Sequence, residues 1–154
     1  EETFLARLNP ETARILVDTG IIDNDSKWRN AVGEITADYQ DIIFKKGFAG
    51  IKKEAEAKLA ELTPATVEDQ EKMDFYAAEI IVCEGIITLA ERYAAKAEEM
   101  GRPDIAAVCR RVPANPPQSF REAVQAVWLT QLGSIISENS LAWNLGRVDQ
   151  YMYP

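Results

Sequence analysis

Residues 111–122 read RVPANPPQSFRE and divide the second half of the chain into two helical runs. Prolines at 113, 116 and 117 remove backbone donors and restrict the residues before them, so no regular helix or strand can continue here. Directly after the prolines, Ser119 and Glu122 have the three-residue spacing of a capping box. The segment therefore predicts an irregular loop that ends at the start of a helix.

The helix that follows runs to about Ile136 and is apolar on most of its faces. Its apolar positions are Ala123, Val124, Val127, Trp128, Leu129, Leu132 and Ile135. Because a helix that is apolar all round is buried on all sides, we expect this one to be fully covered. After it, residues 137–154 mix polar and aromatic side chains without helical periodicity, and no further helix is predicted there.

Five more helices are predicted upstream from capping residues and apolar spacing. In chain order they cover residues 9–16, 36–44, 48–62, 66–100 and 102–111, and Gly47 is expected to stop the second of them. The fourth would be about 50 Å long, which exceeds what a compact domain of this size easily accommodates. Either this helix is part of a larger protein, or it bends near Gly85. A bend is expected there because a mid-helix glycine costs about 1 kcal/mol relative to alanine.

The charge balance and the missing histidine exclude several classes of function. Seventeen Lys and Arg residues stand against 25 Asp and Glu, a net charge of −8 that disfavours nonspecific binding to nucleic acid or anionic lipid. Without histidine, the segment supports neither Ser-His-Asp nor Cys-His catalysis, nor a zinc site built from Cys and His. There is no apolar run of about 20 residues and no signal peptide, so a cytoplasmic protein without membrane or nucleic-acid partners is expected.

The two cysteines, Cys83 and Cys109, have no CxxC spacing and lie in helical segments. Free cysteine is among the most buried residue types, so both are predicted to be buried structural thiols. Oxygen ligands for Ca²⁺ or Mg²⁺ are available at Asp23, Asp25 and Glu34, but these residues do not form an EF-hand loop. No metal site is predicted.

Several motifs, in this order, resemble those of glycyl radical enzymes, the pyruvate formate-lyase-like family. Asp38-Tyr39 and residues 47–51, GFAGI, are similar to the family's DYxxxLxxGFxGI segment. Residues 111–125 resemble the signature VPANPPxSFxEALQ, and residues 146–154, GRVDQYMYP, resemble GRxDQYxYP. The resemblance extends from about Thr36 to the last residue, and it is closest to the branch of dehydratases, decarboxylases and carbon–heteroatom lyases.

The resemblance implies a ten-stranded α/β barrel inside a helical shell, several times longer than this chain. Residues 1–154 are expected to be a partial segment of that one domain, without an internal boundary. The segment should be mainly α, contributing shell helices and a strand or two of the barrel. A shell of this kind excludes oxygen and water from radical chemistry.

The family stores a radical on a glycine near its C-terminus, installed by an activating enzyme that uses S-adenosylmethionine. A barrel cysteine then takes hydrogen from a small-molecule substrate. Residues 1–154 contain neither the GCxE nor the RVxGY element that carries these centres, so the segment is expected to bind no cofactor and to be inactive alone. Its expected partners are the remainder of the enzyme, the activating enzyme and a second copy in an anaerobic homodimer.

Candidate substrate-binding residues are Glu34, Ser137, Glu138, Asn139 and Trp143. Glu34 occupies the place where relatives carry a His or Asp that contacts a substrate hydroxyl, although an exposed loop glutamate is the alternative. The polar residues 137–139 either face the substrate or bond to neighbouring loops, and Trp143 either walls an aromatic pocket or belongs to the core. Arg147 and Asp149 are expected to give structural support.

A self-standing acidic helical interaction domain is the alternative to a glycyl radical lyase. The two hypotheses differ over the helix that begins at Phe120. A self-standing domain must cover Val124, Val127, Trp128 and Leu132 internally, whereas a part of a larger enzyme leaves some of that surface exposed.

Overall fold

The computed structural model describes residues 8–19, 35–138 and 143–152, most of which are helical. The helices are α1 (Pro10–Asp18), α2 (Phe44–Glu61), α3 (Val67–Glu99), α4 (Pro103–Arg111), α5 (Phe120–Glu138) and α6 (Val148–Tyr151). A π-helical turn, Tyr39–Ile43, precedes α2, and two short strands, β1 (Ile35–Thr36) and β2 (Trp143–Asn144), flank the block of helices α2–α5. None of the helices in these ranges is both long and apolar enough to span a bilayer.

The capping signals in the sequence correctly predict where most helices begin. Thr66 and Asp69 form the predicted capping box of α3, each side chain accepting the other residue's backbone N–H, at 3.1 and 3.0 Å. The Asn9 side chain accepts the N–H of Glu11 at 2.9 Å at the start of α1. These bonds satisfy backbone donors that have no partner inside the helix.

Helix α3 is continuous over 33 residues and includes Gly85. It packs against α2, α4 and α5. The core where α3, α4 and α5 meet is built mostly from alanine, whose small side chain allows close helix approach. Its buried residues are Ala90, Ala94, Ala97, Ala106, Cys109 and Leu129. A second cluster joins the π-helical turn to the helices through Tyr39, Ile43, Phe48, Cys83 and Val127.

Replacing Gly85 by alanine is expected to stabilise the protein. Gly85 is helical, and a Cβ added there meets nothing within 4 Å, so the change gains helix propensity of up to about 1 kcal/mol. Gly133→Ala in α5 is the matched control, because its Cβ would lie 3.0 Å from Ile86 Cγ1. Thermal denaturation should show a higher midpoint for Gly85→Ala; a lower midpoint would mean that a partner approaches this face of α3 closely.

The prediction that α5 is buried on all sides is wrong for the described residues. Ala126, Val127 and Leu129 are buried, whereas Val124 and Trp128 are 45% and 44% exposed and Ile136 is 65% exposed. The reason is that α3 and α4 pack against one side of α5, where Val127 also joins the cluster of Tyr39 and Phe48. The opposite side carries apolar surface that these elements do not cover.

The short elements at both ends of the helical block were not predicted individually. Thr36, expected to begin a helix, lies in β1, and the helical conformation begins at Tyr39. The segment after α5, for which no helix was predicted, contains β2 and the four-residue helix α6. Elements of two to four residues are too short to show a periodicity of 2 or 3.6.

Candidate functional site

The strands β1 and β2 bring two distant parts of the sequence together. They pair in parallel, with Ile35 opposite Trp143 and Thr36 opposite Asn144. Parallel strands lie about 4.8 Å apart and need a long crossover connection, here supplied by helices α2–α5. The chain segment that directly follows Glu34 is therefore paired with the segment that contains Trp143.

The structure places some of the predicted site residues and leaves others outside its described range. Glu34 and Asn139 lie outside the described residues. Trp143 is in β2, and Glu138 is the last residue of α5. Ser137 is exposed in the last turn of α5, where its hydroxyl donates to the Ser134 carbonyl at 3.3 Å. Whether any of these side chains contacts a substrate stays a prediction.

A hydrogen-bonded turn follows β2 directly. The side-chain oxygen of Asn144 accepts the N–H of Gly146 at 2.8 Å, and the Gly146 carbonyl accepts the N–H of Val148 at 3.1 Å. Gly146 has a φ of +68°, which glycine adopts without steric cost. The Tyr151 hydroxyl donates to the Leu145 carbonyl. The GRVDQY motif thus closes a compact turn on the end of β2.

Aromatic packing anchors this turn to the rest of the fold. Tyr151 stacks on buried Tyr39 with ring centroids 5.7 Å apart, and its ring meets Phe44 edge-on at 5.5 Å. Burial also raises the pKa of the Tyr151 hydroxyl, which stays protonated and able to donate at neutral pH. Tyr39 and Tyr151 each lie in a family motif, but no local pattern predicts that their rings meet.

Arg147 and Asp149, which were expected to give structural support, form an ion pair with both bonds at 3.3 Å. Hydrogen bonding from the guanidinium lowers the pKa of the Asp149 carboxyl. Both side chains are largely exposed, so the pair contributes little stability and mainly orients the turn.

The proline loop docks on α2 through its backbone. The carbonyls of Pro113 and Ala114 accept the N–H groups of Phe48 and Ala49, both at 2.9 Å. This approach occurs at Gly47, the position predicted to stop a helix, where φ is +63° and ψ is 169°. The predicted interruption at Gly47 is therefore confirmed, and the loop fills the gap it creates.

The predicted capping box of α5 is only half formed. The Ser119 hydroxyl accepts the N–H of Glu122 at 3.2 Å, as predicted. The Glu122 carboxylate, however, accepts the N–H of Gln118 at 2.6 Å and the Nε–H of Arg111 at 3.1 Å. The carboxylate turns towards Arg111 because the guanidinium provides a charged donor, which is stronger than the backbone N–H of Ser119.

Both cysteines are buried, as predicted, at 2% exposure each. Burial raises the pKa of Cys83 to about 11, and it also raises the pKa of Cys109. Both thiols are therefore protonated at neutral pH and unreactive as nucleophiles. Within the described ranges, no group of three metal-ligating side chains comes together.

Known proteins resemble this chain along most of its length. Isethionate sulfite-lyase of Oleidesulfovibrio alaskensis is 36% identical over 147 residues, covering 87% of this chain and 18% of the relative. Trans-4-hydroxy-L-proline dehydratase of Clostridioides difficile is 34% identical, covering 74% of this chain and 16% of the relative. The chain thus spans less than a fifth of the length of these curated relatives.

Solved structures match the fold as well. One match is a structure described as 1,2-propanediol dehydration in Roseburia inulinivorans. The match covers 97% of this chain and 20% of the matched chain, with a TM-score of 0.76 and 31% identity. The match to a glycyl radical enzyme from Archaeoglobus fulgidus covers 92% of this chain and 20% of the matched chain, with a TM-score of 0.72 and 30% identity. The model of the pyruvate formate lyase-like family matches residues 1–154, so this chain belongs to that family and forms a helical segment of its fold.

Proposed function

We propose that residues 1–154 are part of a glycyl radical lyase that acts on a small organic molecule. The observation that carries the proposal is the family match over the whole chain, together with relatives named as a sulfite-lyase, dehydratases and a decarboxylase. The radical would be stored on a glycine, and would act through a cysteine, elsewhere in the polypeptide. Residues 1–154 by themselves would have no activity.

The substrate class that we favour is a small hydroxylated molecule. Isethionate, trans-4-hydroxy-L-proline and 1,2-propanediol, which appear in the names of three similar proteins, all carry a hydroxyl group. The rival within the family is decarboxylation of an arylacetate, for which an indoleacetate decarboxylase is 30% identical over 118 residues. Trp143 would suit that substrate as an aromatic wall.

The part played by this segment would be to shield the cavity and to form one of its walls. The pairing of β1 with β2 supports a wall position, because it brings the segment after Glu34 beside Trp143. In this arrangement the carboxylate of Glu34 would accept a hydrogen bond from a substrate hydroxyl, and the polar residues Ser137, Glu138 and Asn139 would lie at the cavity edge. The helices would exclude water and oxygen.

The exposed side of α5 supports a place in a larger body over a self-standing interaction domain. Val124 and Trp128, which a self-standing domain must cover, are nearly half exposed. With Tyr93, whose ring meets Trp128 edge-on at 5.3 Å, they line an open apolar groove of about 390 Å³. We propose that the remainder of the enzyme covers this groove.

The test is to express the complete reading frame without oxygen, together with a radical S-adenosylmethionine activating enzyme. Electron paramagnetic resonance should show a glycyl radical that depends on S-adenosylmethionine. One of isethionate, trans-4-hydroxy-L-proline, 1,2-propanediol or indoleacetate should be consumed by the activated protein, and residues 1–154 alone should consume none. An intact reading frame that forms no radical would refute the proposal. We further propose that the complete protein is a cytoplasmic homodimer, as expected from the sequence and the family resemblance. Size-exclusion chromatography would test the dimer, and cell fractionation would test the location.

Glu34→Gln in the complete enzyme is expected to lower kcat/KM about tenfold or more. The amide has the same size but loses the charge, and a charge-assisted hydrogen bond is worth about 1.5–3 kcal/mol. The radical content should not change. Glu71→Gln on the exposed surface of α3 is the matched control and should behave as wild type. Unchanged turnover and affinity in Glu34→Gln would remove this residue from the site.

A further inference from the structure

Asn144 has a side-chain amide with a fixed orientation at the end of β2. Its oxygen accepts the N–H of Gly146 at 2.8 Å, so the amide cannot rotate without breaking that bond. The side chain is exposed, and in the described part of the chain no group accepts from its Nδ2 atom. An amide nitrogen carries two donors.

The position of Asn144 in the strand pair favours contact with a ligand. It is paired with Thr36, two residues after Glu34. It is also the last residue of β2 before the turn, and ligands of α/β folds bind at the carboxyl ends of parallel strands. The two stretches that carry predicted site residues therefore meet at Asn144.

The support behind Asn144 is rigid. The next residue, Leu145, accepts the Tyr151 hydroxyl at its carbonyl, and Tyr151 stacks on Tyr39. Tyr39 is only 1% exposed and belongs to the core. A donor that is held by an ordered turn, itself anchored in the core, suits precise recognition because little freedom is lost when a ligand binds.

We propose that Asn144 determines substrate specificity by donating a hydrogen bond from Nδ2 to a substrate oxygen, either a hydroxyl or an anionic oxygen. This inference rests on the proposed function, because it needs the cavity of the complete enzyme. It assigns Asn144 two tasks: Oδ1 closes the turn, and Nδ2 selects a substrate that presents an oxygen acceptor at this point.

Asn144→Asp separates these two tasks. Aspartate retains an oxygen that can accept the Gly146 N–H, so the turn stays closed, but it replaces the donor by an acceptor. If Asn144 only closes the turn, the variant should behave as wild type. If Nδ2 binds substrate, KM should rise tenfold or more, while the glycyl radical signal stays at the wild-type level.

The experiment uses the activated complete enzyme and whichever of the four compounds it consumes. Asn9→Asp is the matched control, because Asn9 makes the same bond to an N–H two residues on, at 2.9 Å, and lies outside the strand pair. Its KM should not change. Asn144→Ser, with a hydroxyl that can both accept and donate, should recover part of the affinity that Asn144→Asp loses, and it provides a second readout if the aspartate variant folds poorly.

The possible outcomes distinguish this inference from the proposed function. A wild-type enzyme that forms no radical, or consumes none of the four compounds, overturns both. A wild-type enzyme that turns over one compound, with Asn144→Asp equal to it in KM, overturns only the role of Asn144. A raised KM with an unchanged radical signal and partial recovery in Asn144→Ser supports the inference.

Discussion

Replacing Gly47 by alanine is expected to destabilise the protein by about 3 kcal/mol or more. A Cβ at Gly47 would lie 2.4 Å from the Ala114 carbonyl oxygen and 2.8 Å from two backbone atoms of Asn115. Overpacking of this kind costs roughly 1–3 kcal/mol, and a φ of +63° with a ψ of 169° is a region that essentially only glycine adopts, at a similar cost. The backbone cannot yield without losing the bonds from Phe48 and Ala49 to the proline loop.

Gly101→Ala is the matched control for this prediction. Gly101 also has a positive φ, +70°, but a Cβ there meets nothing within 4 Å. Alanine at Gly101 should therefore cost only the backbone strain, about 1–2 kcal/mol. Thermal denaturation followed by circular dichroism should show a clearly lower midpoint for Gly47→Ala. Equal midpoints would mean that strain alone sets the cost and that the loop adapts.

The helices were predictable because their signals are local. The capping box at Thr66, the Pro103 that begins α4 and the proline loop after Arg111 are each complete within a few residues, and the structure has elements at those places. Gly47 was predictable as an interruption for the same reason. What fills the interruption was not, because the partner is the backbone of Pro113 and Ala114, far away in the sequence.

The candidate site was less predictable from composition and spacing. Its frame is a pairing of two-residue strands at opposite ends of the helical block, and no local pattern marks either strand. The turn that fixes Asn144 and the stacking of Tyr151 on Tyr39 are long-range or turn-specific contacts. Motif resemblance pointed to both segments, whereas the register that aligns them came only from the structure.

The apolar surface of α5 shows where a correct pattern led to an incomplete prediction. Its sequence correctly indicates that most faces need cover, but periodicity does not say which part of a protein provides it. In the described residues, α3 and α4 cover the side with Ala126 and Leu129, and Trp128 stays exposed. The relatives are about five times as long as this chain, which supports the proposal that the remainder of the enzyme provides this cover.

Glu122→Ala is expected to destabilise the protein by about 2 kcal/mol, because its carboxylate holds both ends of the proline loop. It accepts from Arg111, at the end of α4, and from the Gln118 N–H just before α5. The carboxylate is only 16% exposed, and Arg111 also donates to the Pro116 carbonyl at 3.2 Å. Removing the carboxylate leaves a partly buried guanidinium and a backbone donor without their partner, which costs several times more than losing an exposed pair.

Two further variants, Glu122→Gln and Glu98→Ala, are the controls for this prediction. Glu122→Gln retains an acceptor for the Gln118 N–H but not the charge, so its midpoint of thermal unfolding should lie between those of the wild type and the alanine variant. Glu98→Ala removes the partner of Arg110, an exposed pair with a 2.6 Å contact, and should change the midpoint much less. If Glu122→Ala and Glu98→Ala had the same midpoint of thermal unfolding, the carboxylate of Glu122 would contribute no more stability than an exposed surface charge. The family signature RVPANPPQSFRE would then owe its structural role to the prolines and to the contact at Gly47 alone.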